Sequence, residues 1–151
     1  MSSYTTVVDN VNTFLISEIT ELTAETAQVA DMDAVVDALY DDADTSVGLV
    51  LDFLYSVPHV GDSGRRVRDM WDTFIGGILL LQFDGRDDTE TTKNDLLDLL
   101  FHAFDGGSEK IITGTDKVSI NRIERPQKIA IGEHPFYYMA FTMMVNHGGK
   151  N

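Results

Sequence analysis

Residues 47–56, VGLVLDFLYS, decide how this chain is read: Val47, Leu49, Leu51, Phe53 and Tyr55 alternate with Gly48, Val50, Asp52, Leu54 and Ser56. A period of two puts successive side chains on opposite faces, so the stretch predicts a half-buried strand. Downstream, Trp71, Thr73, Ile75, Leu79, Leu81 and Phe83 share one parity, and Gly76 with Gly77 is expected to mark a bulge or bend in a second strand. The two strands are expected to form a hairpin. Residues 58–69 between them (PHVGDSGRRVRD) carry a proline, two glycines and three arginines, and read as a long mobile connection.

Helical patterns flank this pair. Val8, Val11, Leu15, Ile19 and Leu22 recur at spacings of three and four, which predicts a helix over 5–25. Met32, Val35, Val36 and Leu39 predict a short extra helix after an Asp31 cap. Leu96, Leu97, Leu100, Phe101 and Phe104 predict a helix to residue 104, capped by Asp88 or Thr89 and stopped at Gly106. Val118, Ile120 and Ile123 suggest a third strand that can continue past Pro126 through 129–131.

Pro135 opens the last strand, with Tyr137, Met139, Phe141, Met143 and Val145 on one face and Phe136, Tyr138, Ala140, Thr142 and Met144 on the other. The expectation is a single α+β domain: a mainly antiparallel four-stranded sheet with two principal helices on one face, plus the short extra helix. Such a layout leaves the second face of the sheet free. A strand apolar on both sides then makes Phe136, Tyr138 and Met144 candidates for an interface with another subunit.

Composition narrows the function. The 25 acidic residues outnumber the 11 basic ones, giving a net charge of −14, with 18 Asp, 7 Glu and only 5 Lys scattered along the chain. Phosphate affinity comes mainly from Lys and Arg, so tight binding to nucleic acid or anionic membrane is disfavoured. An Asp-rich, Lys-poor surface suits molar salt, where self-repulsion is screened over about 3 Å; an acidic protein with a basic partner is the alternative. There is no Cys, which removes disulfides and thiolate metal sites. The first residues show no basic and apolar signal pattern, and the apolar run 74–81 is too short to span a bilayer.

No catalytic, cofactor-binding or metal-binding residue stands out. His59, His102, His134 and His147 are far apart in sequence, and His102 reads as solvent-facing. The acidic loop 84–90 (DGRDDTE) lacks the ligand spacing of a calcium loop and reads as a solvated turn. Gly61 and Gly64 are followed by Arg65 and Arg66 rather than by a phosphate-binding Lys and hydroxyl, and Ser63 lacks the flanks of a nucleophile elbow. Arg65, Arg66 and Arg68 place three of the eleven basic residues within four positions. This loop is a candidate contact with an acidic neighbouring subunit, the other readings being DNA phosphates or local relief of repulsion.

The order of elements over 5–25, 47–84, 88–104 and 117–146 resembles that of the tail terminator, or tail-completion, proteins of long-tailed phages; the extra helix near 32–40 departs from it. The resemblance implies a homohexameric ring in the virion that ends tail-tube growth, contacts the tail-tube protein and the head connector, and lets DNA pass without sequence-specific binding. With the acidic composition it implies a tailed virus of haloarchaea, assembled in the host cytoplasm at high salt. Another neck or tail component, and a small halophilic regulatory or ligand-binding domain, are the alternatives.

Overall fold

The computed structural model describes residues 4–24, 26–41, 47–61, 63–82, 89–104, 109–113, 116–131 and 134–148. In chain order the elements are α1 (Tyr4–Glu18), β1 (Ala27–Val29), α2 (Met32–Asp41), β2 (Val47–Val60), β3 (Arg66–Gln82), α3 (Thr89–Ala103), β4 (Lys110–Thr113), β5 (Asp116–Ile123), β6 (Gln127–Ile131) and β7 (His134–Gly148). The strands form one seven-stranded sheet in the order β1-β2-β3-β7-β5-β4, with β6 also on β7. β1 runs parallel to β2, and the remaining pairs are antiparallel.

The alternation that opens at Val47 is satisfied on both sides of this sheet. Val47, Leu49, Leu51, Ile75 and Leu79, with the odd-numbered residues 137–145 of β7, form the main core with Val7, Val8, Val11, Leu15 and Ile19 of α1 and Leu96, Leu100 and Ala103 of α3. On the opposite face Val35, Val36 and Leu39 of α2 cover Val50, Leu80 and Phe136. Burial of these side chains, at roughly 25 cal/mol per Å² of apolar surface, fixes the register, because a one-residue slip would turn every strand inside out.

This architecture corrects the expected four-stranded sheet with two principal helices on one face. The sheet is the larger part of the fold, it has seven strands rather than four, with β1 parallel to β2 among antiparallel pairs, and three helices clothe two faces. The helix expected over 5–25 ends at Glu18. Beyond it, Thr23 N–H donates to Thr26 Oγ1 (2.9 Å) and Thr26 N–H to Thr23 Oγ1 (3.3 Å), side-chain bonds that compete with helical ones. The freed chain then pairs as β1, with Ala27–Val29 opposite Leu49–Leu51. Asp31 caps α2 as expected, its Oδ1 accepting from Ala34 N–H at 3.0 Å. The expected cap at Asp88 and stop at Gly106 lie outside the described residues.

The expected long connection over 58–69 is instead strand on both sides of a short turn, since β2 continues to Val60 and β3 begins at Arg66. The bulge expected at Gly76 and Gly77 is also displaced. β3 pairs with β7 without interruption from Met70↔Gly148 to Gln82↔Phe136, and the register shift falls on β2 between Phe53 and Tyr55. Pro126 does break the third strand: β5 and β6 lie end to end along the same side of β7.

Gly48 sets how closely α2 approaches. A Cβ there would come within 2.6 Å of Val35 Cγ1 and 3.1 Å of Leu39 Cδ1. Gly48→Val is expected to lift α2 from the sheet and lower stability by about 1–3 kcal/mol. Urea unfolding at constant salt measures this, and an unchanged midpoint would show that α2 does not pack on the strand backbone.

Candidate assembly surface

Beyond Leu51, β2 has no outer neighbour among the described residues; it pairs there with β3 alone. The register shift after Phe53 exchanges the faces of β2. Phe53 pairs with Ile75, a core position, whereas Tyr55 pairs with Phe74, and those two rings stack at 4.6 Å and 21°. The shift therefore moves Tyr55 and Val57 onto the face that carries α2, outside the cluster α2 covers. Leu54, Tyr55 and Val57 are 49%, 51% and 39% exposed, and Met144 pairs with Phe74 beside them. Large apolar side chains this exposed and this close together mark an interaction surface.

The candidate interface residues of β7 are divided by α2. Phe136 is fully buried beneath that helix, which corrects its reading as part of a free face. Tyr138 is half-buried and donates its hydroxyl to Gln127 Oε1 at 2.8 Å. Met144, half-buried, belongs to the exposed aromatic patch. The parity of β7 was legible, whereas the cover supplied by α2 was not.

At the far end of the hairpin the turn is closed by Gly61 N–H donating to the Arg65 carbonyl (2.8 Å) and Gly64 N–H to the Gly61 carbonyl (3.0 Å). Gly64 adopts φ +78°, where a side chain would be strained. This turn holds Arg65 and Arg66 exposed at the tip, beside Val60. Arg68 lies on β3, and its side chain is outside the described ones.

Two polar groups sit at the base of this distal half, and only strand register could have revealed them. His59 Nδ1 donates to the Asp72 carboxylate at 3.0 Å, and Asn146 Nδ2 donates to the same oxygen at 3.0 Å. On the opposite face, the buried Thr73 hydroxyl shares a hydrogen bond with His147 Nε2, and His147 Nδ1 lies 3.4 Å from the Gly148 carbonyl. Thr73 Oγ1 is also hydrogen-bonded to Ser56 Oγ at 2.7 Å. This chain satisfies buried donors and acceptors. Thr73→Val is expected to orphan both partners and to lower stability by about 1–3 kcal/mol, measured by urea unfolding; a loss no larger than that of an exposed Thr→Val change would show that the relay contributes nothing.

A groove opens at the other end of the molecule, between the end of α1 and the outer side of α3. Its floor is apolar, from Val47, Leu81, Leu99 and Phe101, and its rim carries Glu18, Glu21, Asp95 and Asp98. His102 lies on the same rim and is exposed. Among the described residues no group of three or more His, Asp or Glu is placed to hold a metal ion, and no helix is long and apolar enough to cross a membrane. Of the acidic loop 84–90, residues 84–88 lie outside the described residues and Thr89 begins α3.

No protein-family profile matches the chain, and no curated protein matches it. A solved structure matches with 10% identity and a TM-score of 0.48, covering 94% of this chain and 97% of its own. A likeness at that level carries no argument about function.

Proposed function

We propose that the chain is a structural subunit that assembles with copies of itself into a ring, in the manner of a tail terminator at the neck of a long-tailed virus. In that role it ends tail-tube polymerisation, joins the tube to the head connector and leaves a passage for DNA. The observation that carries the reading is the projecting hairpin, whose outer half exposes Leu54, Tyr55 and Val57 beside Phe74 and Met144. Covering such a patch with another subunit removes these apolar side chains from water, which favours association. The same acidity suits a lumen through which DNA slides without sticking, and an Asp-rich surface suits assembly in a saline host cytoplasm.

Light scattering coupled to size exclusion in about 2 M salt tests this reading. A closed hexamer supports it, a closed ring of another size or an open polymer redirects it to a connector or tube protein, and a monomer at every concentration overturns it. Tyr55→Asp combined with Val57→Asp is expected to shift the distribution to the monomer by more than tenfold in apparent Kd. Circular dichroism should remain native, because both side chains are exposed; an oligomer unaffected by the pair would remove the hairpin patch from the interface.

A further inference from the structure

We propose that the Arg-bearing tip of the hairpin docks into the acidic-rimmed groove between α1 and α3 of a neighbouring copy. The inference rests on the self-assembly reading above and specifies which surfaces meet.

The two surfaces stand at opposite ends of one molecule. The groove is floored where Val47 pairs with Leu81, and the tip begins where Val60 pairs with Arg66. The 14 residues of β2 separate them by about 45 Å at roughly 3.3 Å per residue. A paired strand of that length cannot fold back on itself, so a tip that enters the groove belongs to another copy.

The chemistry of the two ends is complementary. The tip presents the guanidinium groups of Arg65 and Arg66 with Val60, which is 53% exposed. The groove presents four carboxylates, Glu18, Glu21, Asp95 and Asp98, around an apolar floor that includes Phe101, 48% exposed. Arginine forms two parallel hydrogen bonds to a carboxylate, and its flat face rests on an aromatic ring, so this tip can use both the rim and the floor. Lys128, Arg122 and Arg125 form another basic group near the β5–β6 break, but Arg122 already faces Glu124 at 3.5 Å and these residues lie beside the sheet rather than at a projecting end. A contact between two different surfaces of identical subunits is head-to-tail, and repeats until it closes into a ring or grows as a filament.

The absence of Cys permits a direct test by cross-linking. Ser63 at the tip and Thr20 at the groove are both exposed. A mixture of Ser63→Cys and Thr20→Cys chains, oxidised in high salt, is expected to give a covalent dimer containing one of each. Ser63→Cys alone giving dimers would reveal a tip-to-tip contact, and no cross-link in the mixture while the wild-type chain remains oligomeric would place the interface elsewhere; each result overturns this inference and leaves self-assembly standing. A wild-type chain that is monomeric removes both.

A charge exchange gives an independent answer. Arg65→Glu with Arg66→Glu, and separately Asp95→Lys with Asp98→Lys, are each expected to weaken assembly at least tenfold at the lowest salt that keeps the chain folded. Mixed in equal amounts, the two variants match when they alternate, each tip meeting the other variant's groove, and a closed hexamer, having an even number of subunits, is expected to recover the wild-type mass. Variants that both assemble normally, or a mixture that does not recover, overturn the contact.

Discussion

Gly77→Val is expected to abolish the native sheet, or to lower its stability by 3 kcal/mol or more. Gly77 pairs with Leu51 on one side and Phe141 on the other, and the Phe141 ring lies across it. A Cβ at Gly77 would collide with the Cζ of that ring and lie 2.7 Å from Cε1 and Cε2. The ring has no escape, because Phe141 is buried with Leu49, Leu51 and Leu79 under α1 and α3. Neighbouring Gly76 supplies the control. There the nearest atoms belong to the exposed Leu54 side chain, at 3.3 Å, so Gly76→Ala needs only a rotamer change. Urea unfolding of Gly77→Ala, Gly76→Ala and Gly77→Ala with Phe141→Ala separates the causes. The double variant should cost at least 0.5 kcal/mol less than the sum of its parts, since one change makes room for the other. Equal losses at Gly76 and Gly77 would mean that strand glycines matter for backbone reasons alone.

Phe104→Ala is expected to lower stability by about 3–5 kcal/mol. Phe104 follows the end of α3, is 1% exposed, and meets Phe14 of α1 edge-to-face at 5.6 Å and 68°. It joins the two helices to each other as well as to the sheet, so the space it leaves can collapse only by moving a helix. Phe101 stands on the same helix but outside the core. Phe101→Ala is expected to change stability by under about 0.5 kcal/mol, while weakening assembly if the groove receives a neighbour. A thermal scan combined with sedimentation reads both quantities, and a Phe104→Ala variant as stable as Phe101→Ala would remove the helix-to-helix contact from the core.

Strand parity over 47–53 and 137–145 was legible because one face is apolar throughout, and α2 was legible from four spaced apolar residues behind an aspartate cap. β1 and β4 were not legible. Ala27–Val29 and Lys110–Thr113 are too short to display a period, and they become strands through the neighbours they pair with. The hairpin tip resembles a loop in composition, yet its ladder of partners on β3 holds it extended to Val60. Of the candidate contact residues, Arg65 and Arg66 were visible as a cluster, and the structure places them at the tip. Phe136 was misread because burial depends on α2, an element about a hundred positions earlier in the chain. The Tyr55–Phe74 stack depends on one added residue in β2, a change of parity that the regular alternation of 47–56 conceals.

The margins of the sheet bear on what the chain avoids becoming. One margin is β4, of 4 residues, with the outer side of β6, of 5, on the same side of β7; the other is β1, of 3, followed by the outer half of β2. Along that half, register shifts occur between Phe53 and Tyr55 and between Pro58 and Val60, and Pro58 has no N–H to offer. A strand interrupted in this way is a poor template for a second strand from another chain. Fibre growth by backbone pairing is thereby disfavoured along β2, although the hairpin exposes Leu54, Tyr55, Val57 and Val60. Association is left to side chains, whose contacts form and dissolve with salt and concentration, so a misjoined pair can separate and try again.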